Sequence, residues 1–189
     1  MKYDGELWNK YTDDNKDHPH DEVSKFLYFI FVTLGAKKIL EAGCNVGNNL
    51  AKIPKDFEIH AVDLNEQAID IAKKRYPYIT FKIGSLNKIS YPDSFFDLVF
   101  TRNVLIHVPK NEVDDILKQL LRVSKKWIIN IEYFGKDGEM INWKRGDDLL
   151  WYRNMKERWS KFDVEILSDN EIPVDIDFGK SRLTLVRKR

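Results

Sequence analysis

Five residues in the first third of the chain have the types and spacing of a ligand site. Glu41, Gly43, Asn45 and Gly47 alternate with other residues directly after an apolar run, and Asp63 ends the next apolar run. A strand that turns through glycines into a short helix presents backbone N–H groups to a ligand, and an acid at the end of the second strand can bind a pair of ribose hydroxyls. These residues therefore predict a nucleotide-like ligand at the carboxyl ends of the first two strands of an α/β sheet.

The spacing of the turn distinguishes between ligand classes. A dinucleotide fingerprint, G-x-G-x-x-G, would need glycine at Asn45 and Asn48, and no G-K-[ST] sequence of a phosphate-binding P-loop is present. The remaining pattern, E-x-G-x-N-x-G, resembles the first motif of class I S-adenosylmethionine (SAM) methyltransferases, E/D-x-G-x-G-x-G. Asn45 replaces the middle glycine, but asparagine tolerates a left-handed backbone better than most residues. The alternative is an ordinary glycine-rich turn that binds nothing.

Hydrophobic periodicity predicts the elements that would position these residues. Beyond the first strand, the patterns predict strands over 57–62, 79–83, 95–100, 126–131, 164–167 and 183–186. They predict helices over 21–34 with Gly35 as C-cap, after the N-caps Asn65 and Asn111, and over 147–160. In the class I pattern the last two strands form an antiparallel pair. The predicted fold is therefore α/β and Rossmann-like, with a seven-stranded, mostly parallel sheet and helices on both faces.

Further polar residues follow the third and fourth predicted strands. Arg102, Asn103 and His107 come after the fourth strand, whose carboxyl end should lie over the ligand crevice. In the class I pattern the turn after the third strand contacts adenine, and Ser85 and Leu86 are the matching positions. A plain loop is the alternative for that turn.

Composition excludes several classes of protein. The 189 residues suit one domain, 1–189, in which 1–34 form an N-terminal leader and helix. A formal net charge of +1 gives no global attraction to nucleic acid or anionic membrane. No apolar run approaches the ~20 residues of a membrane span, and the first residues do not resemble a signal peptide. These features predict a cytoplasmic protein.

Cysteine and histidine usage predicts no metal site. Cys44 is the single cysteine, which excludes an intramolecular disulfide and a cysteine-rich zinc site, and it is expected to pack beside the ligand. His18 and His20 flank Pro19, but no carboxylate or cysteine lies at a ligand spacing from them. We therefore expect solvated loop histidines.

Longer segments indicate a subfamily. The residues 11–15 (YTDDN), 41–50 (EAGCNVGNNL), 96–107 (FDLVFTRNVLIH) and 122–134 resemble the pseudaminic acid biosynthesis-associated methylases. That resemblance implies SAM as cofactor, S-adenosylhomocysteine (SAH) as product, and an acceptor that is an acidic amino-sugar or precursor of surface glycan synthesis. The implied cofactor contacts are Tyr11, Glu41, Gly43, Cys44, Asn45, Gly47, Asn48, Asp63, Leu64, Ser85, Leu86, Arg102 and Asn103.

Methyl transfer from a sulfonium needs positioning, and it needs a base only when the acceptor carries a proton. His107 is the first candidate base, with capping or packing of a turn as its alternative. Glu132 is the second, with a solvated acid or a partner of Arg102 as its alternative. Arg102 is also a candidate for gripping a substrate carboxylate.

The substrate side is predicted from aromatic and basic residues late in the chain. Tyr133, Trp143 and Arg145 are predicted to bind the acceptor, whereas Trp151, Met155 and Trp159 repeat at helical spacing and are expected in the core. Three functions stay open: a small-molecule methyltransferase, an RNA or protein methyltransferase, and a non-catalytic SAM-binding protein. The balanced charge and the absence of an N/D-P-P-Y/F motif after the fourth strand count against nucleic acid.

Overall fold

The computed structural model describes residues 4–18, 20–146, 148–177 and 181–189. Within these ranges the strands are Lys38–Ala42 (β1), Glu58–Asp63 (β2), Thr80–Ile83 (β3), Phe96–Arg102 (β4), Ser124–Tyr133 (β5), Val164–Glu171 (β6) and Ser181–Lys188 (β7). The helices are Gly5–Asn15 (α1), Asp21–Thr33 (α2), Glu66–Arg75 (α3), Val113–Val123 (α4) and Met155–Trp159 (α5). The sheet order is β3-β2-β1-β4-β5-β7-β6. Its first five strands pair in parallel, and β7 is antiparallel to both β5 and β6. This arrangement confirms the predicted fold.

Helices cover both faces of the sheet, which explains why the central strands are apolar throughout. On one face Ile39 of β1 packs with Phe31 of α2 and Ile69 of α3. On the other face Leu40 packs with Leu117 of α4 and Trp159 of α5. Because successive side chains of a strand alternate in direction, β1 contributes to both cores and fixes the turn that follows it.

The ends of the helices test the sequence predictions one by one. The Asn65 side chain accepts a hydrogen bond from Ala68 N at 3.1 Å, which confirms the predicted cap of α3. Gly35 follows α2 with a φ of +65° and confirms the predicted glycine stop. The prediction that Asn111 caps α4 is wrong, since α4 begins at Val113 without a side-chain cap.

Two segments differ from prediction in their secondary structure. The leader contains α1, whose first turn is capped by the Asp4 carboxylate through Glu6 N and Leu7 N. The helix predicted over 147–160 is wrong: only Met155–Trp159 is helical, and Asp147 lies outside the described residues. The residues before α5 stay extended because their N–H groups bond to distant carbonyls. None of the helices in the described part of the chain combines the length and apolar character of a membrane-spanning segment.

Candidate cofactor and acceptor site

The turn after β1 adopts the backbone that its glycines and asparagine permit. Asn45 has a φ of +46° and Gly43 a φ of +85°. A Cβ atom on Gly43 would lie 2.6 Å from Val104 Cγ1 and still closer to Cγ2, so this position has no space for a side chain. The glycine therefore allows the turn after β1 to pass directly against the segment after β4.

Asp63 fastens this turn to the end of β2. Its Oδ2 accepts a hydrogen bond from Asn45 N at 2.7 Å, and its Oδ1 accepts one from Asn65 N at 2.9 Å. Burial raises the pKa of Asp63, while these N–H groups act in the opposite direction. The carboxylate is thus held in a fixed orientation at the edge of the cavity, where a ribose hydroxyl pair would meet it.

A cavity of about 830 Å³ opens at the carboxyl ends of the parallel strands. Among the residues predicted from the sequence, those that line it are Tyr11, Gly43, Cys44, Asn45, Asn48, Asp63, Leu64, Ser85, Leu86, Arg102, Asn103, His107 and Tyr133. The oriented Asp63 carboxylate suits the ribose of SAM, and the apolar Leu64 and Leu86 suit its adenine. The residues present therefore fit this cofactor.

Glu41 and Gly47 lie beside the cavity without lining it. Glu41 is fully buried, and its Oε1 accepts a hydrogen bond from Asn49 Nδ2 at 2.7 Å. Burial raises the pKa of Glu41 to about 8. Gly47 faces the rings of Tyr76 and Phe81, which a Cβ atom would approach to 3.3 Å. In this geometry the two residues support the turn from behind.

Arg102 lies in a polar network that the sequence did not indicate. Its Nη2 donates to Asp177 Oδ1 at 3.1 Å, and its Nη1 lies 3.2 Å from Asn49 Oδ1 and 3.1 Å from His20 Nδ1. His20, expected to be a solvated loop residue, therefore lines the cavity, and burial followed by the Arg102 charge lowers its pKa. To grip a substrate carboxylate through two nitrogens, Arg102 would have to exchange these partners. Asp177 had no local sequence signal, because it reaches the cavity from just before β7.

His107 ends a short 3-10 turn after β4 and is held through one ring nitrogen. Nδ1 lies 2.8 Å from Leu149 O, so Nδ1 donates the hydrogen and Nε2 keeps the lone pair. Burial lowers the pKa of His107 to about 4. At neutral pH the ring is therefore an uncharged hydrogen-bond acceptor at the wall of the cavity.

Glu132 is buried beneath this turn and does not line the cavity. Its Oε1 accepts from Thr101 Oγ1 at 2.8 Å, and its Oε2 accepts from Val104 N at 3.1 Å and Ile106 N at 3.3 Å. Burial raises its pKa to about 7. It forms no ion pair with Arg102, whose carboxylate partner is Asp177. This geometry gives Glu132 no access to a substrate proton.

Helix α1 contributes Trp8, Tyr11 and Asn15 to the cavity wall and is bonded to the rest of the chain at two places. The buried Thr12 Oγ1 accepts hydrogen bonds from Asn45 Nδ2 at 3.0 Å and Asn65 Nδ2 at 3.1 Å. Asp14 Oδ2 pairs with Arg145 Nη1 at 2.6 Å. The leader therefore binds both to the cofactor turn and to the segment that follows β5.

Four rings, Trp8, Tyr11, His107 and Trp143, form an aromatic cluster at one side of the cavity. The centroid of Trp143 lies 5.0 Å from that of His107, 6.0 Å from that of Tyr11 and 6.2 Å from that of Trp8. Tyr133 lines the cavity directly, whereas Trp143 and Arg145 do not line it and instead contact the Tyr11 ring, which does. As expected from their spacing, Met155 and Trp159 lie in the core, but the expectation for Trp151 is wrong, since that side chain is only half-buried. Among the described residues no group of three or more His, Cys, Asp or Glu side chains has the geometry of a metal site.

Comparison with known proteins identifies a domain within the chain. Residues 39–126 match the family model described as a methyltransferase domain. Sterol 24-C-methyltransferase erg-4 of Neurospora crassa is 24% identical over 117 residues, which make up 56% of this chain and 30% of that protein. Phosphoethanolamine N-methyltransferase 1 of Arabidopsis thaliana is 26% identical over 98 residues, or 49% of this chain and 19% of that protein. The chain thus spans less than a third of the length of these two relatives.

Among solved structures, magnesium protoporphyrin IX methyltransferase from Synechocystis PCC 6803, with bound SAM, superposes with a TM-score of 0.68 at 17% identity. The match covers 90% of this chain and 80% of that one. At this identity the likeness shows the fold alone, which is that of class I methyltransferases.

Proposed function

We propose that the chain, of which residues 39–126 match the model of a methyltransferase domain, binds SAM and transfers its methyl group to a small-molecule acceptor. The observation that carries this proposal is the continuity of one cavity. The same space of about 830 Å³ is lined by Asp63 and the turn after β1 at one side and by His107 and Tyr133 at the other. Cofactor and acceptor can therefore meet without a large movement of the sheet.

The size and cover of the cavity favour a small acceptor over a macromolecule. Its volume lies in the range of small-molecule sites, roughly 300–1,000 Å³, and SAM would fill much of it. The aromatic cluster and the Asp14–Arg145 ion pair lie beside this cavity and narrow the room for a nucleic acid or protein chain under the proposed function. The named relatives act on a sterol and on phosphoethanolamine, which supports a small acceptor but selects no single chemistry.

For the identity of the acceptor we propose an amino-sugar or a sugar nucleotide of surface glycan synthesis. Support comes from the sequence resemblance to the pseudaminic acid-associated methylases. Trp8, Tyr11 and Tyr133 also line the cavity, and aromatic rings can pack against a sugar ring. The cytoplasmic location predicted from the sequence is part of this proposal.

Once the cofactor is bound, the residues of the chain have two tasks, which are to orient the acceptor and to accept its proton. SAM supplies a methyl group already activated by its sulfonium. The cavity orients the acceptor, and the aromatic cluster excludes water from one side of it. His107 Nε2 can accept the proton that an acceptor O–H or N–H loses when its new bond to carbon forms. With its pKa lowered to about 4, His107 would release that proton readily to solvent. A neutral amine suits such a weak base better than a sugar hydroxyl.

The decisive experiment follows a labelled methyl group. The protein is incubated with methyl-labelled SAM and a desalted cell extract, and small molecules are then separated from protein and nucleic acid. Label in an acidic, sugar-nucleotide-like fraction supports the proposal, and its mass spectrum identifies the acceptor. The matched control is Asp63→Ala, which should lose both SAM binding and transfer.

Other outcomes of this experiment refute parts of the proposal separately. Label in RNA or protein would contradict the small-molecule acceptor and favour a macromolecular methyltransferase. Label in a small molecule without a sugar would refute the amino-sugar assignment alone. SAM binding without transfer to any fraction would favour a non-catalytic SAM-binding protein.

A further inference from the structure

We propose that Glu132 and Arg153 are positioning residues that hold the turn bearing His107 from opposite sides and thereby set the direction of His107 Nε2. This proposal rests on the proposed function, in which His107 accepts the proton of the acceptor. Neither residue touches the cavity. Their effect would be exerted only through the backbone of residues 104–108.

Glu132 binds the N–H groups of the turn. One carboxylate oxygen accepts from both Val104 N and Ile106 N, and the other is fixed by Thr101 Oγ1 at 2.8 Å. Thr101 is itself held by Asn130 Nδ2 at 2.8 Å. The carboxylate is only 1% exposed, so no solvent competes for these bonds.

Arg153 binds the carbonyl groups of the same turn. Its Nε donates to Leu105 O at 2.7 Å, its Nη2 donates to Val108 O, and its Nη1 donates to Tyr152 O at 3.1 Å. The side chain is 1% exposed, and burial lowers its pKa to about 10. A rigid guanidinium fork can hold two carbonyls at once, which a lysine ammonium on a flexible stem cannot do in the same geometry.

The segment before Arg153 also binds the turn, and we call Glu132 and Arg153 together with this segment the clamp. Trp151 N donates to Ile106 O at 2.8 Å, and Leu149 O accepts from His107 Nδ1 at 2.8 Å. The turn is therefore bonded to a buried carboxyl group through its N–H groups and to a buried guanidinium through its carbonyls. Residues 149–153 fix the imidazole as well. This gives a reason for two buried ionisable residues that do not meet the ligand, since such groups can serve geometric specificity.

The orientation matters because methyl transfer needs reacting atoms within near-attack distance. A misplacement of about 1 Å can cost on the order of 10²-fold in rate. The clamp should thus affect the rate of transfer and the state of the His107 ring, but not the binding of SAM, since the cofactor contacts of Asp63 and the β1 turn do not pass through it.

The test compares Arg153→Lys and Glu132→Gln with a matched control, Arg122→Lys. Arg122 also donates to two backbone carbonyls, Ile89 O at 2.7 Å and Tyr91 O at 2.8 Å, but at the other end of α4. We expect the two clamp variants to lower the rate of label transfer at saturating SAM about 10–100-fold, with the SAH dissociation constant unchanged within about twofold. Arg122→Lys should keep the wild-type rate. Clamp variants that keep the wild-type rate, or a control that loses as much, would overturn the proposal.

A second readout separates this proposal from the proposed function. Nitrogen NMR of the imidazole, assigned with His107→Gln, reports its tautomer and its titration without any turnover. The groups facing the ring are Leu149 O, the Trp8, Tyr11 and Trp143 rings and the charge of Arg153. We expect a single Nδ1–H tautomer in the wild type and a tautomer mixture or a raised pKa in Arg153→Lys. An unchanged ring spectrum in both clamp variants would overturn the positioning role even if the wild type transferred no methyl group.

Discussion

Replacing Gly43 by alanine should destabilise the protein by an amount that can be divided into two causes. At a φ of +85° an alanine costs about 1–2 kcal/mol for its left-handed backbone. Its Cβ atom would also lie 2.6 Å from Val104 Cγ1, and overpacking of this kind costs about 1–3 kcal/mol. We therefore expect Gly43→Ala to lower the free energy of unfolding by roughly 2–5 kcal/mol, measured by urea denaturation followed by circular dichroism.

A control and a rescue variant identify each cause. Gly84 lies in the same cavity wall, but a Cβ atom there meets nothing within 4 Å, so Gly84→Ala should change stability by no more than about 0.5 kcal/mol. A Val104→Ala background removes both Cγ atoms and leaves Val104 Cβ, at 3.1 Å, as the nearest atom. Most of the steric part is then lost, and Gly43→Ala should cost only about 1–2 kcal/mol.

Equal costs of Gly43→Ala in the two backgrounds would refute the reasoning, because they would show that Val104 does not fill the space over the glycine. A Gly84→Ala cost as large as that of Gly43→Ala would refute it too, since the loss would then not depend on the close contact. The same variants should bind SAH more weakly only where Gly43 is changed.

Four further predictions concern the site. Asp63→Asn should weaken SAH binding roughly 10–100-fold in calorimetry, since charge-assisted hydrogen bonds to a carboxylate are about twice as strong as neutral ones. Arg145→Gln and Asp14→Asn should each change the unfolding free energy by less than about 1 kcal/mol. Each should also speed the dissociation of SAH, measured by stopped-flow fluorescence. The dissociation rate of the double variant should be no higher than that of either single variant. Cys44 should react with thiol reagents only on unfolding, because burial raises the pKa of its thiol. The pKa of His107 is about 4 in the folded protein and 6.5 in the unfolded chain. Between these values the unfolded chain binds one more proton, so the free energy of unfolding should fall as the pH drops. His107→Gln should remove this part of the pH dependence, measured by denaturation at several pH values.

Each prediction has a contrary result. Unchanged SAH affinity in Asp63→Asn would separate this acid from the ligand, and additive dissociation rates in the double variant would show that Asp14 and Arg145 do not act as a pair. Rapid labelling of native Cys44 would contradict its burial. An identical acid slope in His107→Gln would show that the ring titrates normally.

Local sequence patterns predicted those features that depend on residues close together in the chain. The turn through Gly43, the acid at the end of β2 and the Asn65 cap each depend on a few consecutive residues, and each has a steric or hydrogen-bonding signature in the sequence. The strand order followed from the class I pattern once that turn had been identified.

Features that depend on distant partners had no such signature. Trp151 repeats at helical spacing with α5, yet its N–H bonds to Ile106 O, and this long-range bond keeps the backbone extended. The sequence predicts that Glu132 lies near the cavity, because it is at the carboxyl end of β5. Its side chain instead accepts hydrogen bonds from the N–H groups of Val104 and Ile106, after β4. His20 was expected to be solvated, because nothing near it in the chain indicates Arg102.

Three of the four rings of the aromatic cluster belong to parts of the chain outside the matched methyltransferase domain. Trp8 belongs to α1 and Trp143 to the segment after β5, whereas Gly43 and Asp63 lie within residues 39–126. Under the proposed function, most cofactor contacts lie in the matched domain, and most of the aromatic cluster lies outside it. A graft that exchanges the leader and the post-β5 segment together, joined through Asp14 and Arg145, should therefore redirect acceptor choice only if it keeps Thr12, whose hydroxyl holds Asn45 and Asn65 at the SAM site.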